Sequence, residues 1–258
     1  MSAARERTVV CLSGGMDSCV CAALAARDYD AYALHCGYGQ RTEERELKSA
    51  RGVAEALGFR DFLHLRLDLF RRIGGSALTD DRIDVPEAAD GAGGGLEHAS
   101  TRAGSAIPVT YVPFRNAHFL SAAVSWAEVL GAKAVFIGAV EQDSSGYPDC
   151  RPAYYAAFQE LIRQGTREGD IQVRTPLIHM HKSEIVRLGL ELAAPLDLTW
   201  SCYLGSEAAC GVCESCVLRL RAFEQAGVKD PIRYAGRTER GDDIQERAAE
   251  QWSKPRAS

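Results

Sequence analysis

The amino-acid sequence predicts an α/β protein in which a mostly parallel sheet is covered by helices on both faces. Short apolar runs rich in β-branched residues alternate with longer helix-like stretches along most of the chain. The runs are apolar along their whole length, which is typical of parallel strands buried on both faces. The chain of 258 residues is long enough for one such domain with a small addition.

The alternation predicts five strands and five helices. The strand-like runs are Thr8–Leu12, Ala31–Cys36, Phe62–Leu67, Ala134–Ala139 and Gln172–Thr175. The helix-like stretches are Ser18–Arg27, Glu43–Leu57, Ala117–Leu130, Ala153–Thr166 and Ser183–Ala193. We therefore expect a parallel five-stranded sheet with helices on both faces.

Three segments differ from this pattern and divide the chain. Residues 1–195 carry the α/β alternation, and residues 196–235 form a small cysteine-rich C-terminal segment. Residues 74–108 are rich in glycine and lack periodicity, so we expect a flexible insert that is either an active-site lid or disordered. Residues 236–258 are polar and charged, and we expect this tail to fray.

The charge and the hydropathy of the chain argue against some classes of partner. The net charge is −5, the pI is about 5.7, and no basic patch is evident, so we expect no direct contact with nucleic acid. No apolar run approaches the length of a membrane span. The segment Met1–Arg7 is polar and does not resemble a signal peptide. We therefore expect a cytoplasmic protein that does not associate with membranes.

The first predicted strand leads into Ser13, Gly14 and Gly15, and then into a helix that contains Asp17 and Ser18. Two glycines let the backbone turn tightly and approach a ligand, and the N–H groups at the start of a helix bind anions. The serine hydroxyls add donors, and Asp17 can cap the helix or hold a magnesium ion that bridges phosphates. Gly-Gly alone would also fit a plain strand–turn–helix junction with a serine cap.

The whole string Ser-Gly-Gly-x-Asp-Ser, after a strand and before a helix, resembles the PP-loop of the ATP-pyrophosphatase family. It is not a Walker loop, which requires Gly-x-x-x-x-Gly-Lys-Ser/Thr. The resemblance implies that the loop holds the β- and γ-phosphates, which leave as pyrophosphate, and that AMP is transferred. The implied ATP-binding residues are Leu12, Ser13, Gly14, Gly15, Met16, Asp17, Ser18, Cys19 and Val20.

Four cysteines near the C-terminus have the spacing of a metal site. They are Cys202, Cys210, Cys213 and Cys216. Four thiolates supply the closed tetrahedral shell of structural zinc. The spacing also resembles part of an iron–sulfur run that lacks the Cys-Pro ending, and free thiols are a third alternative. We predict one structural Zn²⁺ per chain, which organises one wall of the pocket.

Several further strings follow one another in a set order. The strings are Leu12–Ser18, Tyr38–Arg41, Val112–Asn116, Ser145–Arg151, Thr175–Leu177, His181–Glu184 and the segment that opens with Thr199–Cys202. Together they resemble the 7-cyano-7-deazaguanine synthase family of queuosine precursor synthesis, from Val9 to about Ala235. The chain departs from that family at Thr42, where relatives often carry histidine, and in the glycine-rich insert and the polar tail.

This resemblance implies a Rossmann-like fold of the adenine nucleotide alpha hydrolase type and an ATP-dependent ligase. In the implied reaction, 7-carboxy-7-deazaguanine, ammonia and two ATP give the 7-nitrile, AMP and pyrophosphate. The first ATP activates the carboxylate as an acyl-adenylate, which ammonia converts to an amide, and the second adenylates the amide oxygen. The implied partners are these small molecules, Mg²⁺ with ATP, and a second copy of the chain in a homodimer.

The resemblance also implies which side chains form the site. The catalytic candidates are Asp17, Ser18, Arg115 and Lys182. The candidates for substrate contact are Gln40, Arg41, Asn116, Tyr147, Asp149 and Arg151. The last three follow the fourth strand, at the end of a parallel sheet that carries ligands. Without the resemblance, Lys182 would be interpreted as a solvated surface lysine and Asn116 as a helix cap.

Two other functions are open at this point. A PP-loop enzyme that thiolates tRNA would use a pair of catalytic cysteines and a basic surface, which the acidic pI disfavours. A non-catalytic nucleotide-binding module of similar fold needs neither four cysteines nor a polar loop after the fourth strand.

Overall fold

The computed structural model describes residues 5–88, 107–141 and 146–235. Its strands are β1 Arg7–Cys11, β2 Asp30–Gly37, β3 Asp61–Arg66, β4 Ala134–Ile137 and β5 Gln172–Arg174. All four strand pairs are parallel, and the order across the sheet is β3-β2-β1-β4-β5. The register places Val9 between Tyr32 and Val135. The predicted parallel five-stranded sheet is confirmed.

Helices lie on both faces of this sheet, as predicted. They are α1 Met16–Asp28, α2 Glu43–Ala56, α3 Leu69–Ile73, α4 Arg115–Leu130, α5 Pro152–Gly165, α6 Lys182–Glu191 and α7 Glu214–Gln225. Successive residues of a strand point to opposite faces, so Val10 packs with residues of α1, α2, α6 and α7, and Val9 packs with those of α4 and α5. The two apolar cores hold the sheet between two helical layers.

Two helices were not predicted from the sequence. Helix α7 follows the third cysteine of the metal motif, and its buried residues Cys216, Arg219, Ala222 and Phe223 have helical spacing. The helical pattern begins within the cysteine motif, and one of its buried positions is an arginine. Helix α3 has only five residues, too few for a periodic signal.

The first part of the predicted insert is packed against the rest of the molecule. Ser76, Ala77, Leu78 and Thr79 are buried, while the flexibility of the insert stays a prediction. Residues 76–88, which we call the strap, end against the cysteine segment, where the Ala88 N–H donates to the Val212 carbonyl at 2.8 Å. Residues 89–106 of the insert, Ser145 and the tail 236–258 lie outside the described residues. The division of the chain at residue 195 stays a prediction.

Within the described ranges, no helix is both long enough and apolar enough to span a bilayer.

A buried histidine couples the stability of the sheet to pH. His35 on β2 is 1% exposed, and its Nδ1 lies 2.9 Å from the Leu12 carbonyl, which accepts its proton in the neutral ring. Burial lowers the pKa of His35 to about 4, well below its ordinary value near 6.5. Between these two values the unfolded chain takes up the proton first. The free energy of unfolding therefore falls as the pH decreases through this window, by up to about 3 kcal/mol.

We expect His35→Gln to flatten that pH dependence, because glutamine keeps a donor for the Leu12 carbonyl but does not titrate. Urea unfolding at several pH values between 7 and 4 measures the effect. His179→Gln, the same substitution at a side chain that is 70% exposed, is the matched control. Equal slopes in wild type and His35→Gln would show that other groups cause the pH dependence.

Candidate active site

A cleft of about 290 Å³ opens at the carboxyl ends of the central strands. Residues that follow β1, β2 and β4 line it. In the strand order, β1 is followed by β2 on one side and β4 is followed by β5 on the other, so the cleft lies where the direction of the chain connections reverses. Ligands bind at such a switch point in open parallel sheets. The lining includes Ser13, Gly15, Asp17, Ser18, Tyr38, Gln40, Arg41, Glu46, Arg115, Asn116, Tyr147, Lys182, Trp200, Tyr203 and Arg219.

The predicted phosphate loop forms one wall of the cleft. Gly14 has φ +92°, and a Cβ there would lie 2.5 Å from the Glu46 carbonyl oxygen, so only glycine fits. Ser13 Oγ donates to Ser18 Oγ at 2.9 Å, and Ser18 Oγ donates to the Gly15 carbonyl at 2.9 Å. No side chain caps α1, which excludes the plain serine-capped junction. The amide groups of its first turn therefore have no side-chain cap and can bind an anion in the cleft.

Asp17 and Lys182 form an ion pair beside this loop. Lys182 Nζ lies 2.8 Å from Asp17 Oδ2, and the two side chains are 16% and 25% exposed. Lys182 is the first residue of α6, whose start is fixed by a capping box between His181 and Glu184. Lys182 is therefore not a solvated surface lysine. The loop and the lysine come together although 165 positions separate Asp17 from Lys182.

The other oxygen of Asp17 fits a cation. Asp17 Oδ1 is buried and has no hydrogen-bond partner among the described residues. An unpartnered carboxylate oxygen beside an anion-binding loop is the type of ligand that Mg²⁺ takes when it also binds phosphates. The donor set therefore fits the predicted magnesium.

A second polar group, which we call the Arg115 cluster, consists of Arg115, Tyr38, Gln40, Thr42 and Glu46. Arg115 Nη1 donates to Tyr38 Oη at 2.8 Å. Gln40 accepts from the Tyr38 N–H at 2.9 Å and donates to Glu46 Oε2 at 2.9 Å. Thr42 Oγ1 donates to Glu46 Oε1 at 2.7 Å. A chain of hydrogen bonds thus joins a cation and a carboxylate that both line the cleft.

Arg115 has no carboxylate partner within 4.0 Å in the described part of the chain. It stacks on Tyr38 and Phe119, with its guanidinium carbon 5.1 Å and 5.8 Å from the ring centres. Phe114, just before it, has φ 58°, an uncommon value for a residue with a side chain, and its N–H donates to Tyr111 Oη. This turn starts α4 at Arg115 and points a positively charged, planar group into the cleft, where it can bind a carboxylate.

Burial raises the pKa of Glu46 above its ordinary value, while the hydrogen bonds from Thr42 and Gln40 favour the charged form. Glu46 was not predicted from the sequence. The sequence spacing could have indicated its contact with Thr42, since the two residues are four positions apart at the start of α2 and so face each other.

Three of the predicted substrate contacts have other partners. Asp149 is 4% exposed, its carboxylate accepts the Asn116 N–H, and Asn116 Nδ2 donates to the Asp149 carbonyl. The two residues thus hold α4 against the loop after β4, and Asn116 is not the cap of α4. Arg41 donates to the carbonyls of Ala77 and Ile83 and so holds the strap. Contact of Asn116, Asp149 and Arg41 with the substrate stays a prediction.

The remaining candidates divide between the cleft and the surface. Tyr147 lines the cleft and donates to Thr110 Oγ1 at 2.9 Å. Arg151 is exposed at the start of α5 and is not among the lining residues. Of the predicted loop residues, Cys19 and Val20 are fully buried in the core behind the loop. Their contact with a nucleotide stays a prediction.

The four predicted cysteine ligands converge. The Sγ atoms of Cys202, Cys210, Cys213 and Cys216 lie within 4.8 Å of one another, and those of Cys210 and Cys216 are 3.9 Å apart. A tetrahedral zinc site with Zn–S bonds of about 2.3 Å places its sulfurs about 3.8 Å apart. Cys202 Sγ also accepts N–H groups from Gly205 and Cys210, as a thiolate does. The geometry fits one metal ion such as zinc.

The cysteine segment forms a wall of the cleft. The Trp200 N–H donates to the Gly14 carbonyl at 2.8 Å, and Tyr203, the residue after Cys202, lines the cleft. Arg219 on α7 also lines it and is held by two hydrogen bonds to Asp230, at 2.7 and 2.9 Å. Trp200, Tyr203 and Arg219 were not predicted, because they reach the loop only through the tertiary fold.

Comparison with known proteins identifies the family. The family model described as "Queuosine biosynthesis protein QueC" matches residues 7–227. The chain belongs to the QueC family. It is 73% identical to the 7-cyano-7-deazaguanine synthase of Acidobacterium capsulatum, over 92% of this chain and 100% of that one. It is 59% identical to the 7-cyano-7-deazaguanine synthase of Koribacter versatilis, over 90% and 94% of the two chains.

Among solved structures, this QueC family member is similar to the NH3-dependent NAD synthetase of Campylobacter jejuni. The two share 17% sequence identity and a TM-score of 0.41, over 76% of this chain and 68% of that one.

Proposed function

We propose that this chain converts 7-carboxy-7-deazaguanine and ammonia to 7-cyano-7-deazaguanine, using two ATP and releasing AMP and pyrophosphate. The membership of the QueC family supports a role in queuosine precursor synthesis, and relatives across nearly the whole chain bear the name 7-cyano-7-deazaguanine synthase. The observation that carries the proposal is the juxtaposition of an anion-binding loop and Arg115 in one cleft. One group suits the phosphates of ATP and the other suits a carboxylate.

In the first half-reaction, the amide groups at the start of α1 and the ammonium group of Lys182 hold the phosphates of ATP. Arg115 orients the carboxylate of the heterocycle toward the α-phosphorus. The carboxylate oxygen attacks, the bond to the β-phosphate bridge breaks, and pyrophosphate leaves with its electron pair. Ammonia then attacks the acyl carbon, and AMP departs with the carboxylate oxygen, leaving the amide.

In the second half-reaction, the amide oxygen attacks the α-phosphorus of another ATP. Loss of AMP and of the two amide protons leaves the nitrile, so each oxygen of the original carboxylate departs on one AMP. Asp17 Oδ1 would hold a Mg²⁺ bound with ATP, which would supply neutralisation of the phosphate charge. Aromatic side chains of Tyr38, Phe119 and Tyr203 line the same cleft and can pack against flat heterocycles.

The four cysteines hold one structural Zn²⁺ in this proposal. Four thiolates leave no open position for a substrate, so the ion acts by fixing the wall that contains Trp200 and Tyr203. A homodimer and a cytoplasmic location stay predictions.

Thiolation of tRNA is less well supported. It requires a reactive thiolate, whereas burial raises the pKa of Cys36 to about 12 and that of Cys150 to about 11, and both line the cleft.

The products of the nucleotide test the proposal. We expect the protein with ATP, magnesium, ammonium and 7-carboxy-7-deazaguanine to form AMP and pyrophosphate, with two ATP consumed for each nitrile. Mass spectrometry and nucleotide chromatography measure all four species. Omission of the carboxylate substrate is the control and leaves ATP intact. ADP and inorganic phosphate as products would contradict adenylation. An unchanged heterocycle would contradict the assignment of 7-carboxy-7-deazaguanine as the substrate.

A further inference from the structure

Glu46 is a charged group of the cleft that the reaction described above does not use. It lies on α2, lines the cleft, and is neither a ligand of the predicted magnesium nor part of the phosphate loop. Its two oxygens each accept one hydrogen bond, from Thr42 and from Gln40. A carboxylate has about four acceptor positions, so further donors can bind. Both anchoring residues are themselves buried, at 6% and 5% exposure, and fix the carboxylate in one orientation.

Glu46 and Arg115 line the same cleft without pairing with each other. No ion pair joins them within 4.0 Å among the described residues, although hydrogen bonds through Tyr38 and Gln40 connect them. Two opposite charges that are partly buried and held apart are costly unless a ligand satisfies both. The matching ligand carries an anion at one end and an edge of N–H donors at the other.

We propose that Glu46 determines substrate specificity by accepting the N1–H and 2-amino donors of the deazaguanine ring while Arg115 binds its carboxylate. The inference rests on the proposed function and extends it to the recognition of the base. A pair of parallel N–H donors on a carboxylate is a charge-assisted, bidentate arrangement. Heterocycles with an acceptor at either position would face the carboxylate with a lone pair and be rejected.

Glu46→Gln tests this inference. Glutamine has nearly the same shape, but it presents one acceptor and one donor, so it cannot satisfy two donors of the ligand. We expect the Kd for 7-carboxy-7-deazaguanine, measured by calorimetry without ATP, to rise about 10- to 100-fold, the effect of losing a hydrogen bond to a charged group. The Kd for ATP stays within about twofold of wild type, since the loop is unchanged. Glu44→Gln, an exposed change of the same type on the same helix, is the matched control.

A second ligand separates recognition from a merely structural role. The analogue without the 2-amino group offers a single donor, so wild type binds it at least about 10-fold less tightly than the parent compound. Glu46→Gln loses this preference, and so does Glu46→Asp, which keeps the charge but withdraws it by one methylene. A thermal melt of each variant establishes folding.

The outcomes also distinguish the inference from the proposed function. A wild type that binds the parent compound, with a preference for the 2-amino group that persists in both variants, would overturn the role of Glu46 alone. A wild type that does not bind 7-carboxy-7-deazaguanine would overturn the proposed function and this inference together. Loss of the preference in the variants, with the Glu44→Gln control unchanged, supports both.

Discussion

Asp17→Ala is expected to lower kcat by about 100- to 1,000-fold, the effect of removing one group that stabilises charge in a transition state. The variant loses the carboxylate that pairs with Lys182 at 2.8 Å and the unpartnered oxygen assigned to magnesium. The fold persists, because neither side chain belongs to the apolar cores. Steady-state rates with saturating ATP and magnesium measure the loss, and circular dichroism verifies the fold.

Asp170→Ala is the matched control for that change. Asp170 pairs with Lys133 at the surface, where both side chains are about half exposed, so removal of the carboxylate leaves activity intact. Ser18→Ala, which removes the hydroxyl between Ser13 and the Gly15 carbonyl, is expected to lower the rate as well. Rates near wild type in both Asp17→Ala and Ser18→Ala would show that the loop does not hold the reacting phosphates.

Cys213→Ser is expected to release the metal and to destabilise the whole chain. Cys213 is fully buried at the start of α7, and structural zinc contributes about 10–16 kcal/mol of apparent binding energy. Loss of even a third of that energy would lower the Tm by about 10 °C or more in a chain of this size. Elemental analysis of the purified protein and a thermal melt measure the two effects together.

Cys21→Ser is the control that distinguishes the loss of stability due to metal release from the loss due to burying a serine hydroxyl. Cys21 is also fully buried but lies on α1, outside the cysteine cluster, so the variant loses some stability and keeps its zinc. Iron and a visible absorption band in the wild type would show that the cysteines hold an iron–sulfur cluster and not zinc. A wild type that is stable and active without stoichiometric metal would contradict the prediction of a metal site.

The sequence predicted those features whose residues lie close together in the chain. The alternation of apolar strands and helices predicted the sheet, because strand burial and helix periodicity are local properties. The phosphate loop and the four cysteines could also be predicted from the sequence, since each motif lies within one short segment. Only the family resemblance assigned Lys182 to the same site as Asp17, and their ion pair was not predicted.

Features that depend on distant partners were missed or assigned differently. Trp200 hydrogen-bonds to Gly14, which is far away in the sequence. Arg219 lines the cleft from helix α7, whose periodic pattern begins within the cysteine motif and was not recognised. Arg41 was predicted to contact the substrate, and its hydrogen bonds to carbonyls of the strap were not predicted. A polar residue in a family motif can bind the ligand or hold the loop that does, and only the tertiary contacts distinguish the two.

The fate of the carboxylate oxygens tests the central claim most directly. The substrate is prepared with oxygen-18 in both carboxylate positions and converted with unlabelled ATP and ammonium. If the protein adenylates first the carboxylate and then the amide, each molecule of nitrile is accompanied by two AMP, and each AMP carries one oxygen-18. Mass spectrometry of the AMP and phosphate pools measures this. Oxygen-18 in inorganic phosphate or in water, with unlabelled AMP, would contradict transfer of AMP to the substrate.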